Sequence, residues 1–207
     1  VKISRRLVSG IALSGIVLTV ASLTGCGANQ AGAAATLGDQ RITENELNTQ
    51  VESLLKAQGL TSGEATAELV STTLDRMITS NLVDQLAERQ GISISQGELD
   101  NVRLQYLAQA GGQQQLDALL LQQGVLPSEL DSVIETNLLV SELGAALAPD
   151  ATPDVQGGAV FIAASELSVE IDAQVAPRFG TWDAENLTVG PVTDDVSAPV
   201  GAELGQE

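Results

Sequence analysis

Across residues 43–147 the apolar positions recur every three or four residues, the spacing of helices that bury one side. Leu47, Val51, Leu54 and Leu55 define a first helical face, and Gly59 ends it. That helix opens at Thr43 with Glu46 three positions on, an arrangement in which hydroxyl and carboxylate satisfy each other's free backbone N–H groups. Thr61 and Glu64 repeat it before the longest stripe, Leu69, Val70, Leu74, Met77, Ile78, Leu82 and Leu86. Gly91 closes the stripe, with Arg89 in the last turn where a cation suits the helix dipole. Ser95 and Glu98 predict a third start, leading to Leu99, Val102, Tyr106 and Leu107 and a stop at Gly111-Gly112. A short helix from Gln113 then places Leu116, Leu119 and Leu120 inside. Pro127-Ser128-Glu129 opens another, with a predicted buried side of Leu130, Ile134, Leu138, Ser141 and Ala145. The fold class this predicts is mainly α.

The flanks follow other rules. "ATLGDQRI" reads as a strand-like segment or a turn around Gly38-Asp39. Residues 148–154, "APDATPD", form a turn-rich linker. A further short helix is predicted from about 155 to 167, followed by "LSVEI" as a strand and "NLTV" as a second one. Few large apolar groups follow, so residues 184–207 are predicted to be a mostly disordered acidic tail.

The first 25 residues stand apart. Lys2, Arg5 and Arg6 precede an uncharged run from Leu7 to Leu23, the form of an export signal and short for a membrane span. Leu23, Thr24, Gly25 and Cys26 close it, and Cys26 is the only cysteine of the chain. This ending resembles the lipobox of bacterial lipoproteins. The resemblance implies a diacylglyceryl group on the Cys26 sulfur and cleavage before it, so that residues 1–25 are removed. Residues 26–35, small and uncharged, then read as a flexible tether, with the folded domain over 36–183.

Charge and composition narrow the chemistry. The 207 residues carry 27 acidic and nine basic groups, a net charge of −18. Three of the nine basic residues lie in the first six positions, so the rest of the chain is more acidic still. No basic patch is available to neutralise phosphates, which argues against nucleic acid as a partner. Histidine is absent, which removes histidine general bases, triads and metal ligands. One cysteine makes neither a thiolate zinc site nor an internal disulfide. No EF-hand loop and no Gly-rich phosphate loop is present, so no cofactor is predicted, although carboxylate-only chemistry or calcium stays open. Glu98 and Asp100, a conceivable acid–base pair, are two positions apart and point to different faces of a helix.

Three stretches together resemble a known family. "GDQRITENELNTQVESLL", "GISISQGELDNV" and "GGQQQLDALLLQQGVLPSELDSVIETNLLVSEL" occur in that order. They are similar to the N-terminal chaperone domain of SurA- and PrsA-type extracytoplasmic foldases. The ending "APRFGTWD" is similar to that of actinobacterial SurA-like lipoproteins, with Ala176 where asparagine is usual. Many relatives insert a parvulin-type prolyl isomerase, but no segment here is long enough to be one, so isomerase activity does not carry over. The resemblance implies a lipid-anchored holdase on the outer face of the cytoplasmic membrane. Unfolded exported polypeptides would bind in an apolar cradle between the long helices, without nucleotide or catalysis. A dedicated interaction subunit of an envelope complex is the alternative. Tyr106, Phe179 and Trp182 are the candidate groove or latch residues. The tyrosine ring suits a groove edge or the core, and the other two suit a docking motif or a latch holding the C-terminal segment to the helices.

Overall fold

The structure, a computed structural model, describes residues 32–192. Strand β1 (Ala33–Leu37) turns at Gly38-Asp39 into β2 (Gln40–Thr43). Helices α1 (Glu44–Ala57), α2 (Ala67–Gln90), α3 (Gln96–Ala110), α4 (Gln113–Gln122), α5 (Leu130–Leu147) and α6 (Pro153–Glu170) follow. The chain ends in β3 (Gln174–Val175), β4 (Thr181–Asp183) and β5 (Thr188–Gly190). β1 is central in an antiparallel sheet of order β2-β1-β3, with Ala35 opposite both Ile42 and Val175. β4 and β5 form a separate hairpin.

Local chemistry sets most helix starts as predicted. The Glu46 carboxylate accepts from the Thr43 N–H at 2.7 Å and from its hydroxyl at 2.8 Å, and Thr43 Oγ1 accepts from the Glu46 N–H. Ser95 and Glu98 repeat this at α3. Thr61 and Glu64 make the same side-chain contacts but close only a 3-10 turn at Ser62–Glu64. The long helix begins later, at Thr66, whose hydroxyl accepts from the Leu69 N–H.

Two hydrophobic cores form. The larger joins β1, α1, α2, α6 and the second half of α5 with the C-terminal hairpin. Its centre is Leu37, Leu47, Leu74, Ile78, Leu82 and Leu143, all fully buried. Each such side chain contributes about 1.5–3 kcal/mol by its burial. The smaller core holds Leu116, Leu120, Val125, Leu130 and Ile134, with α3 packed against it.

Helix α5 belongs to both cores. Leu130 and Ile134 face the small one, whereas Leu139 and Leu143 face the large one. At about 100° per residue, Leu130 and Leu139 point to opposite sides of the helix. The predicted single stripe is therefore corrected: Ser141 and Ala145 are exposed, and Leu139, Leu143 and Gly144 are buried instead. Leu119, predicted inside α4, is exposed as well.

Three boundaries also differ from expectation. Ala33, Ala34 and Ala35, predicted as the end of the tether over 26–35, are instead buried in β1 between two neighbouring strands and against α2, whereas residues 26–31 lie outside the described residues. "LSVEI" is helical through Glu170, since Leu167 and Ser168 are buried in the packing of α6 on the large core. Residues 184–192 are structured, with Leu187 and Val189 buried; residues 193–207 of the predicted tail lie outside the described residues.

Candidate functional site

The small lobe is built from α3, α4 and the first half of α5. Arg103 ties α3 to α5 through an ion pair with Asp131, and it also bonds Asp100 on its own helix at 3.3 Å. The Asp131 hydrogen bond holds the guanidinium's proton above its ordinary range. α3 has no fully buried residue. Tyr106 is half-buried and packs on the small core with Leu99, Val102 and Leu107. Leu104 is 64% exposed on α3 and Leu119 is 46% exposed on α4. Both are large apolar groups in water on a thinly packed lobe.

Between the lobes lies an open concavity of about 760 Å³, lined by β2, α1, α2 and α5. Most of the lining residues are polar or charged by type, with Ile42, Met77 and Val133 as the apolar ones, yet the surface they turn to the concavity is more apolar than polar. Its floor is a polar joint. Arg76 donates to the Gly124 carbonyl and lies 3.6 Å from the Glu129 carboxylate, which also accepts from Gln50. Ser80 and Thr136 share a hydrogen bond of 3.0 Å across α2 and α5. Asp84 lies on the wall, its carboxyl pushed up by desolvation and by the charges of Glu135 and Glu88.

The C-terminal hairpin is held by two polar contacts over apolar packing. Trp182 donates from Nε1 to the Ser168 hydroxyl at 2.6 Å, and the Val189 N–H donates to Asp75 at 2.5 Å. Burial pushes the Asp75 carboxyl up, against the effect of that N–H. Phe179 and Trp182 pack on the large core beside Leu187 and Val189. The Arg178 guanidinium sits 5.0 Å over the Phe179 ring and pairs with Glu44 at the start of α1. A smaller cleft of about 440 Å³ opens here, lined by Ala33, Ala35, Val175, Pro177 and Arg178 among others.

Tyr106 and the pair Phe179 and Trp182 thus sit on different lobes and form no common groove. Leu23, Thr24, Gly25 and Cys26 lie outside the described residues. Leu104 and Leu119 were not singled out as site residues from sequence. A signal was present for Leu104 alone: it falls off the helical stripe of its own segment, the mark of an apolar residue aimed at solvent, whereas Leu119 lies on the stripe of α4.

Glu98 and Asp100 are committed to structure. Glu98 caps α3, and the Ser95 hydroxyl and N–H hold it below the usual carboxylate range. Asp100 is bonded by Gln96 and Arg103. Among the described residues no group of three or more Asp, Glu, His or Cys side chains is placed to hold a metal ion. Among them, too, no helix is long and apolar enough to cross a membrane.

A mainly helical, two-lobed domain with apolar and acidic surfaces has the form of a protein-interaction module. The comparison with family models makes this specific: the model of the SurA-like N-terminal domain matches residues 2–144, and the chain belongs to that family. The SurA N-terminal domain is a chaperone-type domain. Helix α6 and the C-terminal strands lie beyond the matched segment. No curated protein and no solved structure matches the chain.

Proposed function

We propose that the protein is a lipid-anchored extracytoplasmic holdase that binds unfolded exported polypeptides on its small lobe. The observation that carries this is the exposure of Leu104 and Leu119 on a lobe with few fully buried residues, in a chain of the SurA-like family. Apolar client segments gain by leaving water against such side chains. The acidic surface favours basic client segments and keeps loaded complexes soluble. Cys26 carries the anchor, and stable residence takes more than one acyl chain. Gly32 is only six residue steps from Cys26, so the domain would stay within about 20 Å of the membrane, at about 3.3–3.6 Å per residue. Binding uses neither nucleotide nor isomerase chemistry.

The test is suppression of aggregation, followed by light scattering, with residues 27–207 and two unrelated chemically unfolded clients. Suppression near stoichiometric ratio is expected, and Leu104→Lys with Leu119→Lys should weaken it at least about threefold without lowering Tm, since both sites are exposed. Full suppression by the double variant would move the client site elsewhere. No suppression of any client would end the holdase reading and favour a dedicated envelope partner. Anchoring is tested separately, by labelling with radioactive palmitate, which Cys26→Ala should abolish.

A further inference from the structure

We propose that the outer face of α6 is a docking seam for one helix of a partner protein, a helix with an apolar stripe flanked by lysine or arginine. The surface is separate from the client-binding lobe. Val155, Ile162 and Val169 are spaced seven residues apart and are 57%, 58% and 68% exposed. At about 100° per residue they fall within about 40° of one another, on the side of α6 opposite its buried residues Val160, Ala164 and Leu167. Phe161 is exposed next to them. The seam runs about 21 Å, four turns of helix. A helix apolar on every side is ordinarily covered on every side, yet among the described residues only the inner face of α6 is covered.

The glycines of α6 point the same way. Gly157 and Gly158 lie in the helix interior, where glycine is about 1 kcal/mol less favourable than alanine. Nothing inside the protein requires them: a Cβ on either would meet no atom within 4 Å. Gly144 of α5 is different, because its Cβ would lie 2.9 Å from the Gln156 Cβ. Gly158 follows Val155 by three residues, and Ser165 follows Ile162 by three. Large and small residues therefore alternate along the seam, which leaves recesses for the large side chains of a facing helix.

Charge selects the occupant. Residues 130–170, spanning α5 and α6, contain seven acidic residues and no basic one. Arg89 of α2 reaches this surface and is paired with Glu170 at 2.9 Å. A second copy would bring Asp154, Glu166 and Glu170 against like charges, and an anionic lipid surface would be repelled in the same way. A helix with basic flanks meets them with opposite charge.

The probes are two labelled helical peptides with the same leucine seam, one flanked by lysine and one by glutamate, titrated into the full chain by fluorescence anisotropy. The lysine peptide should bind at least about tenfold more tightly than the glutamate peptide and should weaken as salt rises. Ile162→Lys and Val169→Lys, both at exposed positions, should each reduce its affinity about tenfold, with circular dichroism showing the fold retained. The double change at Leu104 and Leu119 should leave it untouched, so failure here and failure of the holdase reading are told apart. Equal affinity for the two peptides would overturn the proposal, as would indifference to both substitutions. So would Ile162-dependent dimerisation in sedimentation, or Ile162-dependent flotation with anionic vesicles.

Discussion

Gly144 and Gly158 allow one substitution to be tested with opposite expected signs. Both lie inside α-helices, and neither has the positive φ that excludes other residues. Alanine at either position gains about 1 kcal/mol of helix propensity. At Gly158 nothing opposes the gain, since the new methyl group meets no atom within 4 Å. Gly158→Ala should therefore stabilise the fold by about 0.5–1 kcal/mol. At Gly144 the methyl group would lie 2.9 Å from the Gln156 Cβ and 3.3 Å from its carbonyl carbon and oxygen. Backbone cannot step aside as a side-chain tip can, so α5 and α6 must separate. Such overpacking costs about 1–3 kcal/mol. The balance is a net loss of about 1 kcal/mol after the propensity gain is subtracted. Urea denaturation read by circular dichroism gives both values. In a thermal melt each kcal/mol moves Tm by about 2–4 °C in a chain of this size. If Gly144→Ala matches or exceeds the stability of the natural chain, α5 and α6 are not packed as closely as described. If Gly158→Ala destabilises, the glycine has an internal role and the docking seam loses one of its supports.

Three further outcomes follow from the packing and the charges. Ile134→Ala, at a fully buried position of the small core, should cost about 2–5 kcal/mol; hydrogen exchange should show protection lost first in α3 and α4 and retained around Leu47 and Ile78. Trp182→Phe should cost about 1–2 kcal/mol, because the buried Ser168 hydroxyl loses its donor. Adding Ser168→Ala should recover most of that loss, since an apolar pair leaves nothing unsatisfied. Asp84→Asn should stabilise at neutral pH by less than about 1 kcal/mol, a small gain because solvent reaches and screens this side chain. The folded-state pKa of Asp84 is raised, so its ionisation penalises the fold above that pKa and not below the unfolded value of about 3.9. The gain from the substitution should accordingly vanish in urea titrations run below about pH 4; a gain that persists there would mean the charge is not its source.

What was legible in the sequence was what three or four neighbouring residues decide. Thr43 with Glu46 and Ser95 with Glu98 cap their helices as the spacing predicts, because a capping box needs nothing from the rest of the chain. The stripe of α1 was equally plain, since one helix against one core keeps one phase. Long-range contacts decided the rest. The alanines of β1 look like linker by composition, and only the strands on both sides and α2 beneath make them core. "LSVEI" has strand-like side chains but is held helical by the burial of Leu167 and Ser168. Leu187 and Val189 are two apolar residues in a polar stretch; their place depends on Asp75, more than a hundred residues earlier in the chain. The site was less legible than the fold. A helical stripe identifies what faces inward, whereas the binding surface proposed here would consist of apolar residues that break the stripe, such as the exposed Leu104.

Helix α5 connects these observations. Its first half completes a core of five buried residues and its second half a core of twenty. The lobes share one continuous helix, but very unequal amounts of buried surface hold them together. Local opening takes the least free energy where the fewest apolar groups are buried. The small lobe, which carries Leu104 and Leu119, is therefore the part of the domain that opens first. Opening also uncovers Leu116 and Leu120 beside them, enlarging the apolar surface available to a client. The polar joint of Arg76, Glu129 and Gln50 ties α1 and α2 of the large core to Gly124 and Glu129, the neighbours of the small-core residues Val125 and Leu130. Under the proposed holdase function, a client that stabilised the opened lobe would exchange by thermal fluctuation, and such a cycle of capture and release would need no nucleotide.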